Sequence, residues 1–422
     1  MSSLFLWGKR GACLLALLML APPARPIISD PAKPRFLEEK AGIASKGTPE
    51  QRILSAIDHI RNGNLADARA TVDALLKEQP NYRLAYLLSG DLYAMRAMPL
   101  NTMGAGAGST AAAERIADLR KEALARISSR MTQAPQTRLP AHLLVFAPQQ
   151  QYAILVDAEA SRIYVFKNVD GVPTYVTDHY ATIGKLGSDK FREGDQRTPL
   201  GVYFVNGHLS RPYLDKTRGA QADLYGVGAW PISFPNEIDK SEGRTGSGIW
   251  LHGVPANTYA RAPWASNGCV AMSNEEMLDI AQYIQVGQTP VVIVPKAEWV
   301  TKVEWQSRRD AALSLVDGWR EEWESLKTQP YLNRYAKQFK SDDGQDLARW
   351  SSQKISVSAG KSWSKIRLDN LSIYASGGPN PRLTTSFKQD YRSNNLDNQM
   401  NKRQYWQQED GIWKIIFEGA AA

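Results

Sequence analysis

At Tyr152 the hydrophobic period of this chain changes, and no single domain type satisfies both sides of that change. Before it, Ile53, Ile57 and Ile60, then Ala68, Val72, Leu75 and Leu76, recur at helical spacing. After it, Tyr152 to Val156, Arg162 to Phe166, Tyr175 to Ala181, Val202 to Val205, Ile249 to Leu251 and Val291 to Val294 form short runs rich in Val, Ile, Tyr and Phe. Turn residues such as Asn168-Val-Asp-Gly171 separate them. A third regime starts at Ser307 with a long amphipathic helix carrying Leu313, Val316, Trp319 and Trp323. A second helical stretch follows Pro330, then strands at Ile366 to Tyr374, Leu383 to Tyr391, Arg403 to Gln407 and, past the turn Glu409-Asp410-Gly411, Ile412 to Phe417. At roughly 150 residues per domain, the 422 residues accommodate about three. The expected multidomain architecture is an N-terminal α-helical module over 48–140, a central mainly-β sandwich over 150–297 and a C-terminal α+β cone-like domain over 305–420. One internal helix is expected in the central domain, from the capping-box pattern Ser273-Asn-Glu-Glu276.

In the helical module Gly63, Ala68, Pro80 and Gly90 fall at offsets similar to a tetratricopeptide unit, although an ordinary helical hairpin fits as well, since arrays need about three units. A further helix is expected from Ala111 to Arg130. The Gly-Ala-Gly-Ala-Gly stretch within Asn101 to Ser109 reads as a flexible loop, because no Gly-Lys-Ser/Thr follows to cradle a phosphate.

The chain has two cysteines, too few for a disulfide scaffold or a thiolate zinc module. Cys13 lies in an apolar run, Gly11 to Ala21, that follows Lys9 and Arg10 and stops at Pro22 and Pro23. This reads as an export signal over 1–24, or an uncleaved anchor, followed by a Pro- and Lys-rich linker over 25–47. A mature exported chain then keeps one thiol, Cys269, and an unpaired thiol in an oxidising compartment is a candidate nucleophile.

Cys269 sits in Ser266-Asn-Gly-Cys-Val-Ala-Met272, where Gly268 lets the backbone approach a carbonyl and the amides of Gly268 and Cys269 are candidates for an oxyanion hole. A thiol needs an activating base. Of the five histidines, His252 is best placed, at the end of Ile249-Trp-Leu-His252 with Gly253 next. His59 lies on a helical pattern, His142 in a segment before the central domain, and His179 and His208 have no such context. No His-Glu-x-x-His or Cys-x-x-Cys pattern points to a metal or a redox role, and no cofactor is expected.

Together these residues resemble the L,D-transpeptidase (YkuD-type) family, marked by a His-Gly strand end and a later Ser/Thr-x-Gly-Cys. Gly194-Asp-Gln-Arg-Thr-Pro-Leu-Gly201, Phe234-Pro-Asn-Glu-Ile-Asp239 and Thr245-Gly-Ser-Gly248 are similar to further segments of that family. The resemblance implies that Cys269 attacks the carbonyl joining the diamino acid of a peptidoglycan tetrapeptide stem to terminal D-alanine. His252 acts as base with its ring held by the Gly253 carbonyl, and a thioester passes to an amine (transpeptidase) or to water (L,D-carboxypeptidase). Ser266, Asn267, Trp250 and Arg244 are the corresponding substrate-binding candidates. Asn267 and Ala271 depart from the commoner His and Arg of the family, which puts substrate choice and acceptor in question. The C-terminal helices and meander, with Trp406 and Trp413 flanking the last turn, look like a nuclear transport factor two-like cone, an arrangement similar to cell-shape L,D-carboxypeptidases of curved Gram-negative bacteria. Two other readings stay open: an amidase that detaches lipoprotein from murein, and a wall-binding scaffold recruiting cell-wall proteins through its flanking domains.

The resemblance and the leader place the chain in the periplasm. The net charge of +8 does not call for nucleic acid, since no basic block is interleaved with aromatics. Residues 151–299 are acidic on balance (13 basic, 16 acidic), so the basic excess flanks the central domain.

Overall fold

The computed structural model describes residues 47–105, 112–131, 134–378 and 380–421. The expected export signal, the linker up to residue 46 and part of the Gly-Ala-Gly loop lie outside the described residues. The chain separates into two compact units, one holding residues up to Arg130 together with Pro255–Pro263, the other Met131–Val254 with Trp264–Ala422.

In the first unit, α1 (Pro49–Arg61) starts at Thr48, whose hydroxyl accepts from the Gln51 amide while the Gln51 side chain caps Thr48 in return. It is followed by α2 (Leu65–Glu78), α3 (Arg83–Ala94) and α4 (Ala113–Met131). The helical spacing read from the sequence brings Ile53, Ile57, Ala68, Val72, Leu75, Leu88 and Ala123 into one core. The Arg126 side chain is fully buried beside it, bonded to Glu50 at 2.8 Å and Glu122 at 3.0 Å. A guanidinium taken from water is tolerated only with such partners.

The second unit is organised by a five-stranded sheet. Its strands β2 (Tyr152–Asp157), β3 (Arg162–Val169), β4 (Val172–Tyr180), β5 (Gly201–Phe204) and β9 (Pro290–Val294) run in the order β4-β3-β2-β9-β5. Only β9 with β2 is parallel. Both faces are covered, which is why β2 and β9 read as unbroken apolar runs. Ile154, Val156, Val291 and Ile293 pack with Leu251, Val270, Met277 and Ile280 on one side. Ala153, Leu155, Val292 and Val294 pack with Leu143, Phe146 and Tyr374 on the other. The first face meets a smaller sheet containing β6 (Gly228–Pro231), β7 (Trp250–His252) and β8 (Val270–Ala271) in the order β8-β7-β6.

The single internal helix expected here is an undercount. Besides α7 (Asn274–Ala281), which has the expected Ser273 capping box, there are α5 (Arg211–Arg218), continued by a 3-10 helix over Gly219–Tyr225, and α6 (Glu237–Ser241). Only Leu214 of α5 is buried, so that helix carries no apolar stripe for a periodicity argument to find.

The cone is built on α8 (Lys302–Glu324), α9 (Leu347–Ala359) and a six-stranded sheet. The sheet order is β10-β14-β13-β12-β11-β1, with β1 Leu143–Val145, β10 Tyr335–Ser341, β11 Ser364–Ala375, β12 Arg382–Ser393, β13 Asp397–Glu409 and β14 Ile412–Ala420. α8 begins before the expected Ser307, because Thr301 and Glu304 form a reciprocal cap. β1 lies ahead of the five-stranded sheet in sequence, and its Leu143 packs on that sheet, yet β1 completes the cone's edge, so the two domains share a strand. His142 secures the junction, its Nδ1–H donating to Ala375 O at 3.0 Å and its Nε2 accepting from Glu298 N at 3.1 Å. Among the described residues no helix is long and apolar enough to cross a membrane.

Candidate active site

Strands β7 and β8 run parallel, with Leu251 opposite Val270 and His252 opposite Ala271. Side chains alternate along a strand. Leu251 and Val270 enter the sandwich core, so Trp250, His252 and Cys269 fall on the other side of the sheet. There Trp250 packs with Leu214 and Ala222 of the 211–225 helical insertion, with Tyr225 and Cys269 against the same cluster. The insertion is thus a cover over the strand ends that carry the candidate nucleophile and base.

His252 is 4% exposed. Its Nδ1 lies 2.5 Å from the carbonyl oxygen of Gly253. A carbonyl can only accept, so Nδ1 carries the proton and Nε2 is the basic nitrogen of the neutral ring. The edge of Tyr225 packs on the imidazole, centroids 5.3 Å apart. A side chain at 253 is excluded, because its Cβ would lie 2.1 Å from Asn274 Oδ1. Asn274 fixes the chain just beyond: Oδ1 accepts from Val227 N at 3.1 Å and Val254 N at 3.2 Å, and Nδ2 donates to Val254 O at 3.0 Å.

The turn before Cys269 is held by two hydroxyls. Ser266 Oγ accepts from Gly268 N at 3.1 Å and donates to Cys269 O at 2.6 Å. Thr198, fully buried, accepts from Gly184 N and donates to Gly268 O, each at 2.9 Å. Gly268 has φ +121°, and a Cβ there would meet Arg197 O at 2.7 Å. The Gly-Asp-x-x-Thr-Pro segment therefore supports the turn that carries Cys269. Thr198→Val keeps the volume and removes both bonds, leaving a buried amide and a carbonyl unpaired at a cost of about 1–3 kcal/mol. A lower urea midpoint together with slower turnover is the expected result.

The substrate-binding candidates separate. Cys269 is partly exposed and outside any disulfide, its Sγ 3.3 Å from Gly248 O. Asn267 is exposed beside it, 3.5 Å from the Gln196 amide. Trp250 is buried against Tyr225, at 4.8 Å between ring centroids, with Arg218 5.5 Å above its ring. Ser266 is 2% exposed and its hydroxyl is spent on the turn, as is the Gly268 amide that the oxyanion hole was expected to use. Arg244 is committed elsewhere, donating to Asp189 Oδ1 at 2.7 Å and Glu242 Oε2 at 3.3 Å beside the Glu242–Arg382 pair. Thr198, Asn274, Tyr225 and Arg218 are the residues sequence reasoning missed. Thr198 and Asn274 lie within quoted motifs, the Thr-Pro turn and the Ser273 capping box, whereas Tyr225 and Arg218 carry no local signal. Among the described residues no three His, Cys, Asp or Glu side chains are grouped to hold a metal ion.

A model of the L,D-transpeptidase catalytic domain (YkuD) matches residues 151–293, and one of the Cds6 C-terminal NTF2-like domain matches residues 311–419. Bd1075 of Bdellovibrio bacteriovorus is 31% identical, the match covering 67% of this chain and 98% of that one with a TM-score of 0.58. The helical cell shape determining protein Pgp2 of Campylobacter jejuni shares the fold at 24% identity, over 66% of this chain and 94% of that one, with a TM-score of 0.55. Comparison with curated proteins finds no match. The paired domains and the near-complete coverage of Bd1075 show that this chain belongs to the L,D-transpeptidase (YkuD) family, in the form that carries a C-terminal NTF2-like domain.

Proposed function

We infer that the chain is a cysteine acyl-transfer enzyme acting on peptidoglycan tetrapeptide stems in the periplasm. The observation that carries this reading is the register of β7 with β8, which sets His252, its Nδ1 tied to Gly253 O, beside the strand that Cys269 enters. The leader supports export, and the family supports the substrate class.

In the reaction, His252 Nε2 takes the Cys269 proton and the thiolate attacks the carbonyl between the diamino acid and D-alanine. The negative charge passes to the carbonyl oxygen, for which the Cys269 backbone amide is the remaining donor of the two expected at this turn, since Gly268 N is given to Ser266 Oγ. Collapse breaks the C–N bond, and the imidazolium returns its proton to the departing amine of D-alanine. A thioester remains on Cys269. His252 then deprotonates the incoming water or amine, whose attack releases the thiol.

A defined disaccharide tetrapeptide, incubated with and without an added amine, separates the acceptors by product mass. D-alanine loss alone in both reactions makes the enzyme an L,D-carboxypeptidase, and an exchanged or cross-linked product makes it a transpeptidase. An intact substrate contradicts the reading. Running a lipoprotein-linked stem alongside ranks the amidase alternative, which differs only in the leaving amine.

A further inference from the structure

The chain leaves the catalytic unit after Val254 and returns at Trp264. The residues between, Pro255–Pro263, belong to the helical unit. This excursion joins the proposed base to the proposed nucleophile. It starts two residues after Gly253, whose carbonyl orients the His252 ring, and ends at Trp264–Ser266, the short strand that leads into the Cys269 turn.

The loop is fastened into the helical core rather than resting on it. Tyr259 is 3% exposed, within the cluster of Ile53, Val72 and Leu88. Its ring packs against Tyr82 with centroids 4.2 Å apart and the planes tilted by 35°. Arg126, buried between Glu50 and Glu122, lies 5.7 Å from the other ring of that pair. Asn81 ties the loop backbone, its side-chain Nδ2 donating to Ala256 O at 2.9 Å and its main-chain carbonyl accepting from Tyr259 N at 3.4 Å. On the catalytic side the loop's ends are pinned by Asn274 at Val254 and by pairing of Trp264 with Ile183.

From this juxtaposition we propose that the helical module is a positioning device for acyl transfer, with Tyr259 as the residue through which it holds the base and the nucleophile turn in place. Tyr259 touches no reacting atom. Its insertion removes conformational freedom from the segment flanking both groups, and misplacement of reacting groups by even an ångström is costly in rate. The matched family models lie at residues 151–293 and 311–419, so the loop falls within the first of them while the helices that receive it lie outside both. The proposal rests on the acyl-transfer reading, and the test separates the two.

The full chain is compared with Tyr259→Ala and Tyr259→Phe in two assays: D-alanine release from a disaccharide tetrapeptide, and the pH dependence of Cys269 alkylation by iodoacetamide, which needs no substrate. The clamp predicts that Tyr259→Ala lowers kcat about tenfold with little change in KM and shifts the alkylation profile toward that of an ordinary thiol. Tyr259→Phe, which keeps the packed ring, matches wild type in both. Wild-type kcat and an unchanged alkylation profile in Tyr259→Ala overturn the proposal. If wild type releases no D-alanine, the acyl-transfer reading fails, while alkylation still decides whether the loop controls the thiol. Should Tyr259→Ala lose its helical circular dichroism, Asn81→Ala carries the test: a change in the same direction of about threefold supports the clamp, and no change overturns it.

Discussion

Replacing Cys269 with Ala is expected to abolish D-alanine release, and replacing His252 with Ala to come close to doing so. In triad enzymes that act through a nucleophile and base as a unit, removing either costs on the order of 10⁶ in kcat. For this chain a loss of at least about 10⁴-fold is expected from either variant, and the double variant is little worse than the worse single one. Both substitutions leave the sandwich core intact, because Leu251 and Val270, not His252 and Cys269, fill it. Thermal midpoints close to wild type therefore accompany the loss. Steady-state release measured by mass spectrometry on folded protein checks the rate, and a Cys269→Ala protein with wild-type turnover would end the assignment.

Glu237→Ala produces the largest stability change. Arg403, 8% exposed at its side chain, places Nη1 at 2.9 and 3.0 Å from the two Glu237 oxygens, and Tyr405 donates to the same carboxylate at 2.8 Å. Removing the carboxylate leaves a buried guanidinium unpaired, a loss of about 3–5 kcal/mol. At roughly 2–4 °C per kcal/mol for a unit of this size, the melting midpoint falls about 10 °C. Burial pushes the Glu237 carboxyl up, but the Arg403 charge and the hydrogen bonds from Tyr405 and Arg403 outweigh it, and the group is held below its ordinary value of 4.5. A carboxyl with a depressed folded pKa stabilises above its unfolded pKa and loses that contribution as pH falls through the folded value. The gap between wild type and Glu237→Ala is thus full near neutrality and narrows below about pH 4.5. A midpoint within a degree of wild type at pH 7 contradicts the pairing.

The same carboxylate explains why one family segment could be seen but not interpreted in the sequence. Phe234-Pro-Asn-Glu-Ile-Asp239 was legible as a motif. In the structure Asn236 and Asp239 make a local cap on α6, while Glu237 reaches Arg403 of the cone, a contact between residues far apart in the chain. The central strands were legible because a sheet covered on both faces needs continuous apolar runs. The cysteine and histidine stood out through their turn glycines and scarcity. Hidden features lacked local signals. The 211–225 cover is polar, with Pro212 near its start, and buries only Leu214 and Ala222. Strand β10 alternates too weakly, with Lys337 and Gln338 exposed together. Arg244 looked available as a cation, yet its charge is consumed by Asp189 and Glu242. Nothing local in Pro255–Pro263 announces its helical partner, since the decisive contact is Tyr259 on Tyr82.

Cys269 is the proposed site of the acyl-enzyme. Intact-mass measurement after exposure to a carbapenem, followed by peptide mapping of wild type and Cys269→Ser, tests it most directly. The account predicts one adduct per chain on the peptide containing Cys269 in wild type and none at that site on Cys269→Ser. An unmodified wild-type chain, or an adduct that persists at another residue when Cys269 is replaced, contradicts it.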